Sequence, residues 1–428
     1  MNAKTRLFFC VVLLGLITLL FCVRFVSAST EWQRDFGGTG NDCAYGITSS
    51  TGGGYVIAGD SDSPNGNEYA AWLVKLDSSG STVWNQTFGG VGDAELFSVA
   101  PTSDGGYVVA GYVSPVSGGE NDALLFKTDS QGNLQWNQTY GGVGNDKAFS
   151  VIQTIDGGYV FAGYTDSYGV GGEDFWLVKT DSLGNILWNQ TCGGGGIDEA
   201  YSVIQTIDGG YAIAGQTNSI GHGENDVWLV KTDSSGEMEW NQTYGSTAND
   251  GAYSLIQTSD GGYALAGYMY SNAQNEYNPW LVKTDSFGNI EWQKAYETGG
   301  DSQALSLIQT DGDGYALAGY TNSYGSVGSQ VWFSVIDSKG NIQWSQTMGG
   351  EGDDGAFAVT NTENNGYVIA GYSDSQGSNI SNALVANVDQ AASQSSFIPS
   401  FELMLLIAFS VLTVLLISVL VYTRKNKK

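Results

Sequence analysis

An all-β fold, a seven-bladed β-propeller of four-stranded antiparallel blades, follows from three observations on this 428-residue chain. Tyr55, Tyr107, Tyr159, Tyr211, Tyr263, Tyr315 and Tyr367 recur every 52 residues, and Trp32, Trp84, Trp136, Trp188, Trp240, Trp292 and Trp344 keep the same step. A fixed period of about this length marks a solenoid, propeller or array, because each unit buries its apolar face only against its neighbours. Each period also holds four short apolar segments punctuated by Gly, Asp and Asn, the pattern of a propeller blade. Finally, 61 Gly without a Gly-X-Y rhythm excludes collagen, and 12% aromatic residues excludes a disordered chain.

One copy illustrates the elements in order. Residues 148–154 alternate and form the first strand, and Asp156-Gly157-Gly158 turns the chain, since Gly supplies the positive φ that hairpin turns need. Residues 159–164 form the second strand. A loop rich in Gly and Ser leads through Glu173 and Asp174 to the third, 175–180; Asp181 to Asn185 turn again into the fourth, 186–191. Ala110-Gly111, Ala162-Gly163, Ala214-Gly215 and Ala266-Gly267 recur inside the second strand. Gly there costs stability unless another backbone comes close, and a neighbouring blade near the narrow axis is the expected partner. The Trp column falls on the fourth strand. A second column, Trp72, Leu124, Trp176, Trp228, Trp280, Trp332 and Leu384, falls on the third, and both read as core. The seventh unit has strands at 356–362, 367–372 and 384–389 and then stops. Residues 31–36, with Trp32, supply its fourth strand and close the ring, which removes an exposed sheet edge.

The propeller therefore spans 31–390. Before it, Lys4 and Arg6 precede an apolar run, and Val26-Ser27-Ala28 resembles a cleavage site; residues 1–28 read as a signal peptide or an uncleaved N-terminal anchor. After a linker at 391–402, residues 403–422 carry no charge and are long enough to cross a bilayer as a helix. The basic tail 423–428 then stays cytoplasmic and the propeller lies outside the cell, at the cell membrane. Phe397-Ile398-Pro399-Ser400-Phe401 resembles the C-terminal sorting signals of archaeal surface proteins, so processing of the helix is the alternative to its retention.

The chain holds 44 Asp and Glu against 16 Lys and Arg, a formal net charge of −28. This excludes nucleic acid as a partner, whose phosphates require basic residues; the acidity itself serves solubility. Cys43 and Cys192 lie in different columns of the repeat, so no disulfide is expected between them.

The segments Tyr159-Val-Phe-Ala-Gly-Tyr164 and Leu177-Val-Lys-Thr-Asp-Ser-Leu-Gly-Asn-Ile-Leu-Trp188, with their counterparts throughout, resemble the kelch-type repeat propellers of secreted and cell-surface proteins. The third-to-fourth-strand turn is also similar to the Asp-box of sialidases and the Trp motif of quinoprotein propellers. The resemblance implies the fold; no function comes with it, because propellers host many.

Strand direction places the first-to-second and third-to-fourth turns on one face, and the second-to-third loops and blade links on the other. The last strand runs toward the turn face. Residues 390–400 span at most ~35–40 Å, so the turn face is expected toward the membrane and the loop face outward. Asp42, Asp146, Asp198, Asp250 and Asp354 share a loop-face column, with Asp93 and Asp301 one position off; Asp122, Asp174 and Asp226 form a second set. A carboxylate ring offers Ca²⁺ hard oxygen ligands. The opposite reading is that each Asp caps a turn through its own backbone, and no metal ligand set is firm. Tyr268 and Tyr270, with Tyr277, form an aromatic loop in the fifth blade able to stack on a sugar. Asn85, Asn137, Asn189, Asn241 and Asn379 begin N-glycosylation sequons.

No catalytic residue stands out. The exported region has one His, His222, and one Arg, Arg34, which excludes multi-imidazole metal centres and an arginine triad. The reading is a membrane-anchored extracellular module for binding, adhesion or scaffolding, with a protein or glycan partner. The alternatives are a carbohydrate-active enzyme using loop-face carboxylates and a structural surface-layer component. Departures within the loop-face columns would favour an enzyme, and uniform columns would favour repeated contacts or architecture.

Overall fold

The computed structural model describes residues 30–38, 40–62, 69–88, 93–114, 120–323, 327–374 and 380–388. The targeting segment, linker, transmembrane helix and basic tail expected from the sequence, together with Asn379, lie outside them. No helix among the described residues is long and apolar enough to cross a membrane.

The described strands pair into seven four-stranded antiparallel sheets, each one blade. First strands begin at Asp42, Ala94, Asp146, Asp198, Asp250, Ser302 and Asp354, the step of the repeat. In the third blade the strands are Asp146–Gln153, Tyr159–Thr165, Asp174–Thr180 and Ile186–Cys192. The first thus starts earlier than expected and takes in Asp146. The N-terminal strand Thr30–Phe36 pairs with Asn382–Val388, with Trp32 opposite Asn387 and Phe36 opposite Ala383. It supplies the seventh blade's fourth strand and closes the ring.

The core is divided among the seams between blades rather than gathered at one centre. Val160, Ala162, Phe175 and Leu177 of blade 3 face Ala200, Val203, Tyr211 and Trp228 of blade 4. At the closing seam, Val368, Ala370, Ala383 and Val385 face Ile57, Trp72 and Val74. The two founding columns meet at every seam: Trp188 packs on Tyr211 with ring centroids 5.8 Å apart, and Trp32 on Tyr55 at 6.2 Å. Each Trp is half-buried and each Tyr buried, so the Trp screens the outer end of the seam.

The recurring Ala-Gly has a different cause from the one expected. A Cβ on Gly163 would lie 1.9 Å from the carbonyl oxygen of Lys147, in the first strand of the same blade. Gly111 and Gly215 meet Glu95 and Glu199 at the same distance. The register slips between Ala148 and Ser150, a β-bulge that pushes the first strand's backbone toward the second. The close approach therefore lies within the blade, not between blades.

The turn face is tied by ion pairs. Lys127, Lys179, Lys231 and Lys283, buried on third strands, reach Asp104, Asp156, Asp208 and Asp260 in the first-to-second turns at 2.5, 3.0, 2.9 and 2.9 Å. Burial works against these carboxylates. Bonds from Thr154, Lys179 and the Gly158 amide nevertheless hold Asp156 down at about 2, and its counterparts behave alike. Blade 1 lacks the turn Asp, and Lys75 bonds the Tyr107 hydroxyl at 3.2 Å instead. In blades 6 and 7 Val335 and Asn387 replace the Lys. A cleft of about 240 Å³ opens between blades 7 and 1, among Ser50, Gly53, Tyr55, Glu363 and Asn387.

Candidate functional site

The bulge that demands glycine also fills the central channel. It presents Tyr45, Phe97, Phe149, Tyr201, Tyr253, Leu305 and Phe357, one from each first strand. Successive rings touch: Phe357 to Tyr45 at 4.9 Å, Tyr45 to Phe97 at 5.4 Å, Phe97 to Phe149 at 4.9 Å, Phe149 to Tyr201 at 5.1 Å and Tyr201 to Tyr253 at 5.2 Å. Leu305 stands in the remaining place. Beside five of the bulges, Ser98, Ser150, Ser202, Ser254 and Ser306 accept a hydrogen bond from the next blade's Val151, Val203, Leu255, Leu307 and Val359 amides. The first strands of blades 2 to 7 are latched in series beside an aromatic floor, Gly46 and Ala358 taking the Ser position in blades 1 and 7.

Two residues toward the loop face, the repeat breaks down. First-strand positions hold Cys43, Glu95, Lys147, Glu199, Gly251, Gln303 and Gly355; their second-strand partners are Asp60, Tyr112, Tyr164, Gln216, Tyr268, Tyr320 and Tyr372. These side chains form the wall of the channel mouth. The Tyr112 hydroxyl donates to Glu95 at 2.6 Å, and Lys147 Nζ sits 4.2 Å from the Tyr112 ring centroid. The Tyr201 hydroxyl donates to Glu199 at 2.6 Å, and Tyr268 donates to Gln216 at 3.0 Å. Titration behaviour is perturbed here. Burial, with Glu95 and Asp42 adding to it, pushes Asp60 up to about 8. Burial and then Glu199 and Asp166 push Glu173 up to about 7. The Cys43 thiol is pushed well up by burial and by Asp60.

The loop-face Asp column lies beside this mouth, in the links. Asp42, Asp146, Asp198, Asp250 and Asp354 are buried and engaged by their own links. Asp146 accepts from the Gly142 amide at 2.9 Å, the Ser167 hydroxyl at 2.6 Å and the Thr165 hydroxyl. Asp198 repeats this with Gly194, Ser219 and Thr217. Asp250 accepts from the Ser246 and Tyr270 amides, Asp42 from Gly38 and Asp354 from Gly350. Asp174 and Asp226 accept from Val170 and His222 amides in their loops. No group of three or more His, Cys, Asp or Glu arranged to hold a metal occurs among the described residues.

Tyr268 and Tyr270 lie on an extended second strand, Tyr263–Ser271, paired to Glu276–Thr284, rather than in a loop. Tyr268 is buried and edge-on to Tyr277 at 5.4 Å; Tyr270 packs on the same ring at 5.0 Å. Asn85, Asn137, Asn189 and Asn241 are exposed on outer strands, with the Trp72 and Trp228 indoles donating to Asn85 and Asn241. His222 is exposed, and Cys43 and Cys192 are free thiols. Sequence reasoning passed over the floor and the wall, although their columns are written in it: aromatic residues before Ser, then Asp60 and Gln216 among tyrosines.

No protein-family model matches the chain. An alignment 221 positions long, covering 45% of this chain and 21% of the regulatory protein FlaEY of Caulobacter vibrioides, is 28% identical. Among solved structures, the WD40 domain of Pan2 from Neurospora crassa is similar with a TM-score of 0.50 at 9% identity, over 85% of this chain and 97% of that one. The α-L-arabinofuranosidase Arb93A of Fusarium graminearum is similar with a TM-score of 0.47 at 9% identity, over 86% of this chain and 99% of that one. The likeness to the Pan2 domain speaks for the propeller fold alone.

Proposed function

We propose that the protein is a membrane-anchored extracellular binding module of kelch-like build, and that the loop-face mouth of its channel receives the ligand. One observation carries this reading. The columns that build the blades repeat almost without change, whereas the wall of the mouth differs from blade to blade over an aromatic floor. Such departures support one asymmetric site, of a binder or of an enzyme, rather than seven equivalent weak contacts, and the want of a firm catalytic set favours the binder. Aromatic walls with a few convergent polar groups suit small-molecule, glycan or side-chain recognition. The exposed sequons support glycosylation of the outer strands, and the chain's exit from the turn face supports a loop face turned to the surroundings.

The test is binding of the full-length protein in detergent to glycan and peptide arrays, beside Tyr112→Ala, Tyr372→Ala and a turn-face control, Asp104→Asn. The expected result is a ligand class retained by the control and lost by the mouth variants. Binding that survives both mouth variants, or no binding at all, overturns the reading. Protection of residues 30–388 from protease on intact cells would overturn the topology.

A second reading, a carbohydrate-active enzyme, has one observation in its favour: a carboxyl with a raised pKa beside a second carboxylate is the arrangement that separates acid from base. Asp60 and Glu95, however, sit together in one seam, whereas glycosidase carboxylates flank a bond between them. Release of reducing sugar from a polysaccharide panel, abolished by Asp60→Asn, would promote this reading over the first.

A further inference from the structure

Asp60 occupies the position that Tyr112, Tyr164, Tyr268, Tyr320 and Tyr372 fill in five other blades. Its residue is 3% exposed, and its Oδ1 has no hydrogen-bond partner among the described residues. Its cross-strand neighbours, Cys43 and Ala71, offer it no charge of opposite sign. A buried carboxyl with one oxygen left unpaired is costly, and proteins seldom leave one without a use. The charged groups acting most strongly on it are carboxylates: Glu95 from blade 2, with Asp42 and Asp62 from blade 1. The remaining titratable groups around it are the Cys43 thiol and the Tyr45, Tyr69 and Tyr112 phenols. Glu95 is half-buried and Asp60 buried, so the corner is negative and Glu95 is its more accessible carboxylate.

We propose that this corner binds an alkylammonium group, the charged end of a free amine or of a lysine side chain, with Asp60 and Glu95 as counter-charges and the Phe97 and Tyr112 rings beside it. The proposal deepens the binding reading and rests on it. Three observations select an ammonium over other ligands. The missing partner is a donor with positive charge, because the site already holds an excess of acceptors. The described residues offer no set of three metal-ligating side chains, which a hard cation would need. The mouth also already holds one ammonium on the same aromatic ring, Lys147 Nζ over Tyr112 at 4.2 Å. Elsewhere the chain answers a carboxylate with a buried ammonium four times, in the turn-face pairs; at Asp60 the carboxylate is present and the ammonium must come from outside.

Binding is coupled to a proton. Asp60, pushed up to about 8, is neutral at lower pH, and the ammonium needs it ionised. The complex therefore releases a proton below that value. Affinity should fall about tenfold per unit of pH below about 8 and level off above it, until the amine itself loses its charge near 10.

The experiment is calorimetric titration of the full-length protein with cadaverine and with N-acetyl-lysine methylamide, between pH 6 and 9 and in buffers of differing ionisation enthalpy. N,N′-Diacetylcadaverine, in which both amines are blocked, and potassium chloride serve as controls that should not bind. We expect binding at pH 8.5 that weakens as pH falls, with proton release below pH 8. Asp60→Asn and Glu95→Gln should each lose about thirty-fold or more, and Asp60→Asn should also abolish the pH dependence. Unchanged near-ultraviolet circular dichroism keeps a folding defect from being mistaken for a lost site. Cadaverine alone binding identifies a free amine as the source; the lysine amide binding as well identifies a side chain. No binding of either at pH 9, or binding indifferent to Asp60→Asn, overturns the proposal. If an uncharged array ligand then still requires Tyr112 and Tyr372, the binding module stands and only the ammonium falls.

Discussion

The turn face and the loop-face mouth use the same materials to opposite ends. On the turn face Asp156 is matched by Lys179, Thr154 and the Gly158 amide, and its carboxyl is held down at about 2. At the mouth Asp60 has carboxylates for company and its carboxyl is raised to about 8. The first arrangement occurs in four consecutive blades and the second in one. Where a carboxylate is paired and repeated, it stabilises the frame; where it stands once among other carboxylates with an oxygen unpaired, the frame carries a cost that a bound proton or an occupant offsets.

The largest expected effect tests the frame itself. Gly163→Ala drives a Cβ into the Lys147 carbonyl and should destabilise the protein by about 3 kcal/mol, read as a fall in the thermal midpoint. Loss of no more than the few tenths expected of an ordinary surface change would mean that the bulge yields. Next, Asp156→Ala strands Lys179 and should cost about 2 kcal/mol, reduced from the fully buried case because Asp156 is 61% exposed on its own side. Asp208→Ala should cost less, since Glu239 still holds Lys231 at 2.9 Å; equal losses would show that the second carboxylate contributes nothing.

At the mouth the sign reverses. An Asp whose folded pKa is raised binds its proton more tightly when folded, so stability falls as pH rises from about 4 to about 8. Asp60→Asn removes that dependence. It should therefore be more stable than the parent by an amount that grows through this window and then levels off. Asp156 works the other way: its stabilisation is complete above about 4 and is lost as pH falls toward 2. Denaturant midpoints across pH 2–9 distinguish the two. The smallest effect is Ser150→Ala, which removes one bond to the Val203 amide and should cost about 1 kcal/mol.

The strands, their number and the closure were readable because a fixed period ties every copy to the same register, so Trp32 could be assigned to a blade whose other strands lie some 350 residues away. The channel floor was not. Reading 148–154 as a simple alternation hides the bulge, where Phe149 and Ser150 are consecutive half-buried residues and the parity changes. The same bulge misdirected the account of Gly163, because a close approach within one blade and one between blades leave the same mark on a sequence. The mouth escaped notice for another reason. Attention to what repeats selects Asp146 and Asp198, which the structure shows engaged by their own links. Asp60 and Glu95 are conspicuous only as exceptions, and they belong to different columns of different blades.

The closing strand has a mechanical consequence. Thr30 lies opposite Val388, so the strand that begins the ring and the strand that ends it leave the propeller at one corner. Tension drawn between the two ends would load that antiparallel pair from its open end, one hydrogen bond at a time, instead of shearing all of them together. The seventh blade is thus a zip fastener. Its six neighbours, each closed by a strand of its own, feel no such pull until it has opened.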